Sequence, residues 1–238
     1  MKKAIVIGAS SGIGKELVRQ LYSSDYKIGI TGRRTRLLEE LKSESPGKLF
    51  IKTFDITDTA DSIKSLDELA LELGGLDLLI ISSGTGELNE SLNFVVEKTT
   101  IDTNVTGFTN IADWGYNYFQ NQNSGHLVVI TSIAGLRGTK AAPAYNASKA
   151  YQINYLEGLR QKAISTGKNI IITDIRPGFV DTAMAKGDGL FWVSTAEKAA
   201  KQILNVIKKK KTIAYITKRW AIAAFIFRCI PNYFYNKL

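Results

Sequence analysis

Cysteine and histidine are nearly missing from this 238-residue chain, which has one of each. Cys229 has no partner for an internal disulfide, so a reducing compartment is expected. His126 alone excludes a His-rich metal site and counts against a Ser-His-Asp triad, so no metal is expected. Its neighbours Leu127-Val128-Val129-Ile130 read as a buried strand, which makes His126 a strand-edge residue. No long apolar run opens the chain. Glycine and serine break the stretch after Ile7, so no secretory signal is expected, and the expected location is cytoplasmic. Acidic residues are absent from Lys208 onward, where eight basic residues stand. The other 23 basic residues nearly balance 22 acidic ones, so the net charge of +9 belongs to the tail. A nucleic-acid partner is not expected on that distribution.

What is present is an ordinary globular composition, 45% hydrophobic and 22% charged, with length enough for a large core. Apolar strand-like runs at Lys3–Ile7, Lys27–Thr31, Leu49–Asp55, Leu76–Ser82, Leu127–Ser132 and Asn169–Arg176 alternate with helical patterns. Among these is one long helix around Ser91–Gln120. Continuously apolar strands in β-α-β alternation imply a doubly wound parallel sheet with helices on both faces, an α/β fold of Rossmann type. No repeat or second core is visible. One domain is expected over residues 1–207, followed by a basic and apolar extension over 208–238.

The first strand runs into Gly8-Ala9-Ser10-Ser11-Gly12-Ile13-Gly14 and then a helix. Glycines there permit a tight turn and close approach of backbone to a pyrophosphate, and the helix N-terminus offers free amides. The second strand ends Thr31-Gly32-Arg33-Arg34, where folds that bind NAD commonly place an acidic residue for the ribose 2′-hydroxyl. A guanidinium can bind a 2′-phosphate that a carboxylate would repel, so Arg33 argues for NADP(H). Arg34 reads as a solvated charge at a helix start. Asp55 ends the third strand and Ile56 follows it, and both are candidates to line the cofactor. Asp55 could accept a hydrogen bond from the adenine amine or serve as a turn carboxylate.

Tyr145-Asn146-Ala147-Ser148-Lys149 places a tyrosine and a lysine on one helical face. An ammonium beside a phenol favours its ionised form and is expected to lower its pKa. Ser132, thirteen residues earlier at a strand end, can donate to a substrate oxygen as charge develops on it.

With these motifs in hand, the chain resembles the short-chain dehydrogenase/reductase family over about residues 1–207. The resemblance rests on the glycine turn, Asn104-Val105-Thr106-Gly107, Ser132, Tyr145-x-x-x-Lys149 and Pro177-Gly178. It implies a carbonyl/alcohol oxidoreductase with Tyr145 as acid and base, Lys149 tuning it and holding the nicotinamide ribose, and Ser132 polarising the carbonyl. Asn104 would hold a relay water. Pro177, Gly178 and Thr182 would line the nicotinamide, and Ser10 and Arg33 would meet the 2′-phosphate. It also implies a homodimer or homotetramer. The family's Asn-Ala-Gly after the fourth strand is replaced by Ser82-Ser83-Gly84, in which Gly84 keeps the close-approach position. The alternatives are an NAD-dependent alcohol dehydrogenase, against which Gly32 and Arg33 speak, and a non-catalytic NADP(H)-binding protein, which should have lost Tyr145 or Lys149.

Two segments stay open. Residues 183–193 carry Met184, Leu190, Phe191 and Trp192, which suit either an apolar substrate or packing against the domain. After a short strand-like stretch at Thr212–Thr217, the run Trp220–Ile230 is too short to span a bilayer and should end at Pro231. It could lie on an anionic membrane surface, cover the substrate mouth or bury in an oligomer.

Overall fold

The computed structural model describes residues 1–45, 47–183 and 191–237. In chain order the elements are β1 (Lys2–Ile7), α1 (Gly12–Tyr22), β2 (Tyr26–Gly32), α2 (Thr35–Ser43), β3 (Leu49–Thr53), α3 (Thr59–Leu73), β4 (Leu78–Ile81) and α4 (Phe94–Ile101). Then come α5 (Phe108–Asn121), β5 (Ser124–Ile130), α6 (Pro143–Ser165), β6 (Asn169–Pro177), β7 (Val180–Asp181), β8 (Ser194–Thr195), α7 (Ala196–Lys208), β9 (Ile213–Ile216), α8 (Trp220–Cys229) and α9 (Asn232–Tyr235). Seven strands form a parallel sheet in the order β3-β2-β1-β4-β5-β6-β9. The order reverses between β1 and β4, and ligands of open α/β sheets bind at the strand C-termini beside such a switch point.

The strand alternation sorts side chains into two cores. Ala4 and Val6 of β1 face a layer holding Leu17 and Leu21 of α1, Leu38 of α2 and Ile203 of α7. Ile5 and Ile7 face the opposite layer, with Leu66 of α3, Ile111 of α5 and Leu156 of α6. Both faces of β1 are thus buried, which is why its sequence is continuously apolar.

The helix expected over Ser91–Gln120 is broken into α4 and α5 by a π-helical turn at Asp102–Gly107. Such turns are frequent at functional sites, and this one carries Asn104. Gly107 lets the turn lie against Ile56, whose carbonyl oxygen would stand 2.6 Å from a Cβ there. His126 is buried in β5 and bonds Thr173 across to β6 at 2.7 Å. Burial, aided by Lys210 and Lys2, pushes its pKa down to about 4, so it is neutral at ordinary pH.

The main sheet runs past residue 207. β9 is its seventh strand, and a buried polar cluster ties it to its neighbours. Arg176 pairs with Asp174 at 2.7 Å and donates to the Tyr215 hydroxyl at 3.2 Å, while Thr131 donates to Asp174 at 2.5 Å. No helix among the described residues is long and apolar enough to cross a membrane.

Candidate active site

The glycine turn after β1 is closed by backbone contact. Gly8 has φ 83°, and a Cβ on it would stand 2.7 Å from the Ser83 amide nitrogen. A Cβ on Gly14 would stand 2.2 Å from the Gly8 carbonyl oxygen. Gly12 has φ 55°, and Thr182 reaches to 3.0 Å of where its Cβ would be. Only glycine fits the first two positions without shifting backbone. Among the described residues no side chain caps the first turn of α1, and no acidic residue stands in that turn, so its amides and dipole remain for an anion. Among the described residues the Ser83 hydroxyl, beside this turn, is buried without a partner. A cradle shaped by missing side chains, uncapped amides and an orphaned donor fits a dinucleotide.

The two arginines after β2 take different places. Arg33 is 68% exposed and leans on Asp55 at 3.4 Å. Arg34 lies over the glycine turn and donates to the Ser10 hydroxyl at 2.8 Å and the Ser11 hydroxyl at 2.7 Å. The sequence singled out Arg33 and set Arg34 aside, because nothing in adjacent letters says which side chain turns back towards the loop. Asp55 also accepts from the Thr57 amide and hydroxyl, each at 3.0 Å. Burial raises its pKa, but the Thr57 bonds and Arg33 outweigh that and hold it low. The turn role foreseen for Asp55 is therefore filled. The Ile56 side chain belongs to the core, and its carbonyl oxygen lies against Gly107.

At the other side of the switch point the four polar residues lie together. Ser132 is in extended backbone just past β5, and its Oγ accepts from the Ala134 amide at 3.0 Å. Tyr145 and Lys149 lie on α6, which begins with Pro143 in its first turn. The Lys149 Nζ is buried, donates to the Ile130 carbonyl at 3.2 Å and to Gln152 Oε1 at 3.0 Å, and lies 5.9 Å from the Tyr145 ring centroid. Burial lowers its pKa to about 8, against a counter-pull from Asp174. Fully buried Asn104 donates to the Thr85 carbonyl at 2.6 Å and to Ser148 at 3.0 Å, and accepts from the Thr85 amide at 2.9 Å. Its own carbonyl takes a bond from Gln152 at 2.9 Å. Gln152 thus links Asn104 to Lys149. The sequence reading missed it, although its position three residues after Lys149 on the same helical face was a usable signal.

The tyrosine does not titrate in the expected direction. Burial raises the Tyr145 pKa, and a hydrogen bond with Ser132 only offsets it. Two of the lysine's three N–H bonds go to Ile130 and Gln152, and its Nζ lies over the tyrosine ring. Gly84 sits above this group, with Asn104 Oδ1 at 3.3 Å and Lys149 Nζ at 3.5 Å from its would-be Cβ. Gly86 lies against the Tyr145 ring, where a Cβ would stand only 2.3 Å away.

The turn after β6 forms the other wall. The Gly178 amide donates to the Ile216 carbonyl at 2.7 Å, and the indole of Trp220 lies on Gly178, 2.0 Å from where its Cβ would be. Trp220 is buried and gathers Phe179, Phe191 and Trp192 at centroid distances of 5.4, 5.2 and 5.6 Å. Farther along, Arg137 donates to the Ile230 carbonyl at 3.2 Å and to Asn232 at 3.1 Å, and Tyr235 donates to the Gly138 carbonyl at 2.7 Å. The tail therefore docks across both turns that flank the site, the one after Ser132 and the one after Pro177. Met184 and Leu190, read with Phe191 and Trp192 as one segment, lie outside the described residues.

The short chain dehydrogenase family model matches residues 2–189, and the chain belongs to that family. An oxidoreductase of Myxococcus xanthus, itself uncharacterized, is 32% identical over 188 residues, which cover 77% of this chain and 74% of that protein. The closed form of a serine dehydrogenase complexed with NADP+ is similar at a TM-score of 0.79 and 27% identity, covering 86% of this chain and 88% of that one. A short chain dehydrogenase/reductase from Burkholderia phymatum in complex with NAD, 18% identical, shares the fold at a TM-score of 0.83 over 94% of this chain and 91% of its own. The protein is thus an oxidoreductase of this family.

Proposed function

We propose that the protein is an NADP(H)-dependent reductase of an apolar carbonyl compound, working in the cytoplasm as a homodimer or homotetramer. The observation that carries this reading is the convergence of Ser132, Tyr145, Lys149 and Asn104 on one edge of the sheet, opposite the Gly8–Gly14 cradle. The bound nicotinamide would supply the hydride; the chain's own residues handle the oxygen and its proton. Ser132 donates to the carbonyl oxygen. Tyr145, kept protonated by burial, gives its proton to that oxygen as charge builds there. Lys149, with a pKa near 8, stays cationic at neutral pH and holds the ribose beside the phenol. Asn104 fixes the Thr85 backbone and a relay water leading to Lys149.

The preference for NADP(H) rests on both arginines, with Arg34 carrying the larger share because it already lies on Ser10 and Ser11. The serine dehydrogenase structure with NADP+ agrees with this reading. The apolar substrate follows from Phe179, Phe191 and Trp192, each partly exposed beside Gly178. Exposed Tyr151, stacked on Tyr155 along α6, is in keeping with a helix-to-helix subunit contact.

Tyr145→Phe is expected to lower kcat/KM for an apolar ketone by ~10²–10⁴-fold and leave NADPH affinity within about twofold. Retained turnover would remove the mechanism. Fluorescence titration should show NADPH bound more tightly than NADH. Arg34→Ala should weaken NADPH by ~10–100-fold and Arg33→Ala by less, with NADH little changed in either. Equal affinity for both cofactors in the unaltered protein would overturn the NADP(H) assignment.

A further inference from the structure

The tail helix is apolar on both sides. Trp220 and Ala224 are buried against the domain, yet Ile222, Phe225 and Ile226 on the opposite side are 62%, 69% and 50% exposed. Exposed Cys229 continues that line, so the outer residues recur at i, i+3, i+4 and i+7. A helix already anchored by one face does not need a second apolar stripe for folding.

The charge within the tail is of one sign. Lys218, Arg219 and Arg228 border the stripe, and Lys237 follows α9, which exposes Tyr233 and Phe234. The tail has no acidic residue to oppose them. The run Lys208–Lys211 plays no part here. It precedes β9, at the end of the parallel sheet away from the site, where Lys210 acts on His126. The loop before α4 also exposes Leu88 and Leu92, but Glu87 and Glu90 beside them would be repelled by an anionic surface, so it is not included.

We infer that the outer face of α8, with its flanking cations, is a docking surface for an anionic lipid membrane. Apolar side chains among cations are the composition of a helix that lies in the headgroup region, and at about ten residues α8 can lie there without crossing. Because α8 bridges the turns after Ser132 and Pro177, such docking sets the active-site mouth beside the lipid. Resting on the reductase reading, this names the substrate class as a carbonyl compound dissolved in the membrane.

The test is sedimentation with vesicles of phosphatidylcholine alone and of phosphatidylcholine with phosphatidylserine, so its result does not depend on turnover. The full chain should bind the anionic vesicles, and added salt should weaken binding. Lys218→Gln with Arg228→Gln should weaken it ~10–30-fold. Ile222→Ser, Phe225→Ser and Ile226→Ser together should weaken it at least ~tenfold. Both variants should keep their thermal midpoint and NADPH affinity, because every altered side chain is exposed. No vesicle binding by the unaltered protein, or equal binding by the variants, would overturn the proposal. If the unaltered protein ignores vesicles and the triple variant has a smaller sedimentation coefficient, the face belongs to a second copy of the chain.

Discussion

The Gly8–Gly14 turn and the C-terminal tail reach the same edge of the sheet from opposite ends of the chain, and they do it by opposite means. The turn makes room by omitting side chains. Gly14 clears the Gly8 carbonyl, and Gly8 clears the backbone at Ser83. The tail fills room with the largest side chain available, laying Trp220 on a position where even a methyl group would collide. A backbone contact tolerates one residue type, whereas a cavity of a given size accepts many. That is why the first region can be read from its letters and the second cannot.

Trp220→Ala should separate the two most strongly. Removing a buried indole costs ~3–5 kcal/mol, and in a chain of this length the thermal midpoint should fall on the order of 10 °C. An unchanged midpoint would mean that the tail is not part of the folded unit. Gly14→Ala pushes a Cβ into a carbonyl oxygen that cannot swing away, for ~1–3 kcal/mol. Its larger signature should be weakened NADPH binding, since the altered turn is the cradle itself. Gly178→Ala joins the regions in one measurement. Alone it should destabilise by ~1–3 kcal/mol through its clash with Trp220. In a Trp220→Ala background much of that cost should vanish, a coupling of ~0.5–3 kcal/mol from a double-mutant cycle of thermal melts. Additive effects would show that the indole and Gly178 do not share the space.

The same contrast explains what could be read in advance. The six strands from β1 to β6 were legible because a sheet buried on both faces demands unbroken apolar runs. Tyr145 and Lys149 were legible because helical spacing puts them on one face. The break in the Ser91–Gln120 helix was not, since the π turn at Asn104 answers to Thr85, a residue distant in sequence. Arg34 was set aside for a similar reason: its partners Ser10 and Ser11 lie one strand away. The direction of the Tyr145 shift was missed because spacing places an ammonium near a phenol but does not say how deeply the phenol is buried.

Between the two regions lies Lys149, whose buried charge gives the most specific effect. Its pKa is lowered from 10.5 to about 8, chiefly by burial. Below pH 8 the native and unfolded chains both hold the proton, and the native state carries the full cost of a desolvated ammonium. Between pH 8 and 10.5 the unfolded chain holds a proton that the native chain has released, so this site's contribution to stability rises with pH. Lys149→Met removes the titrating group and keeps most of the side chain's bulk. Measured against that variant, the unaltered protein should gain on the order of 2–3 kcal/mol as the pH is raised across the window. Gly14→Ala and Trp220→Ala have no titrating group of their own and should hold a constant difference over the same range. A stability difference for Lys149→Met that is flat with pH would mean that Lys149 keeps its ordinary pKa in the fold and is no near-neutral charge switch beside Tyr145.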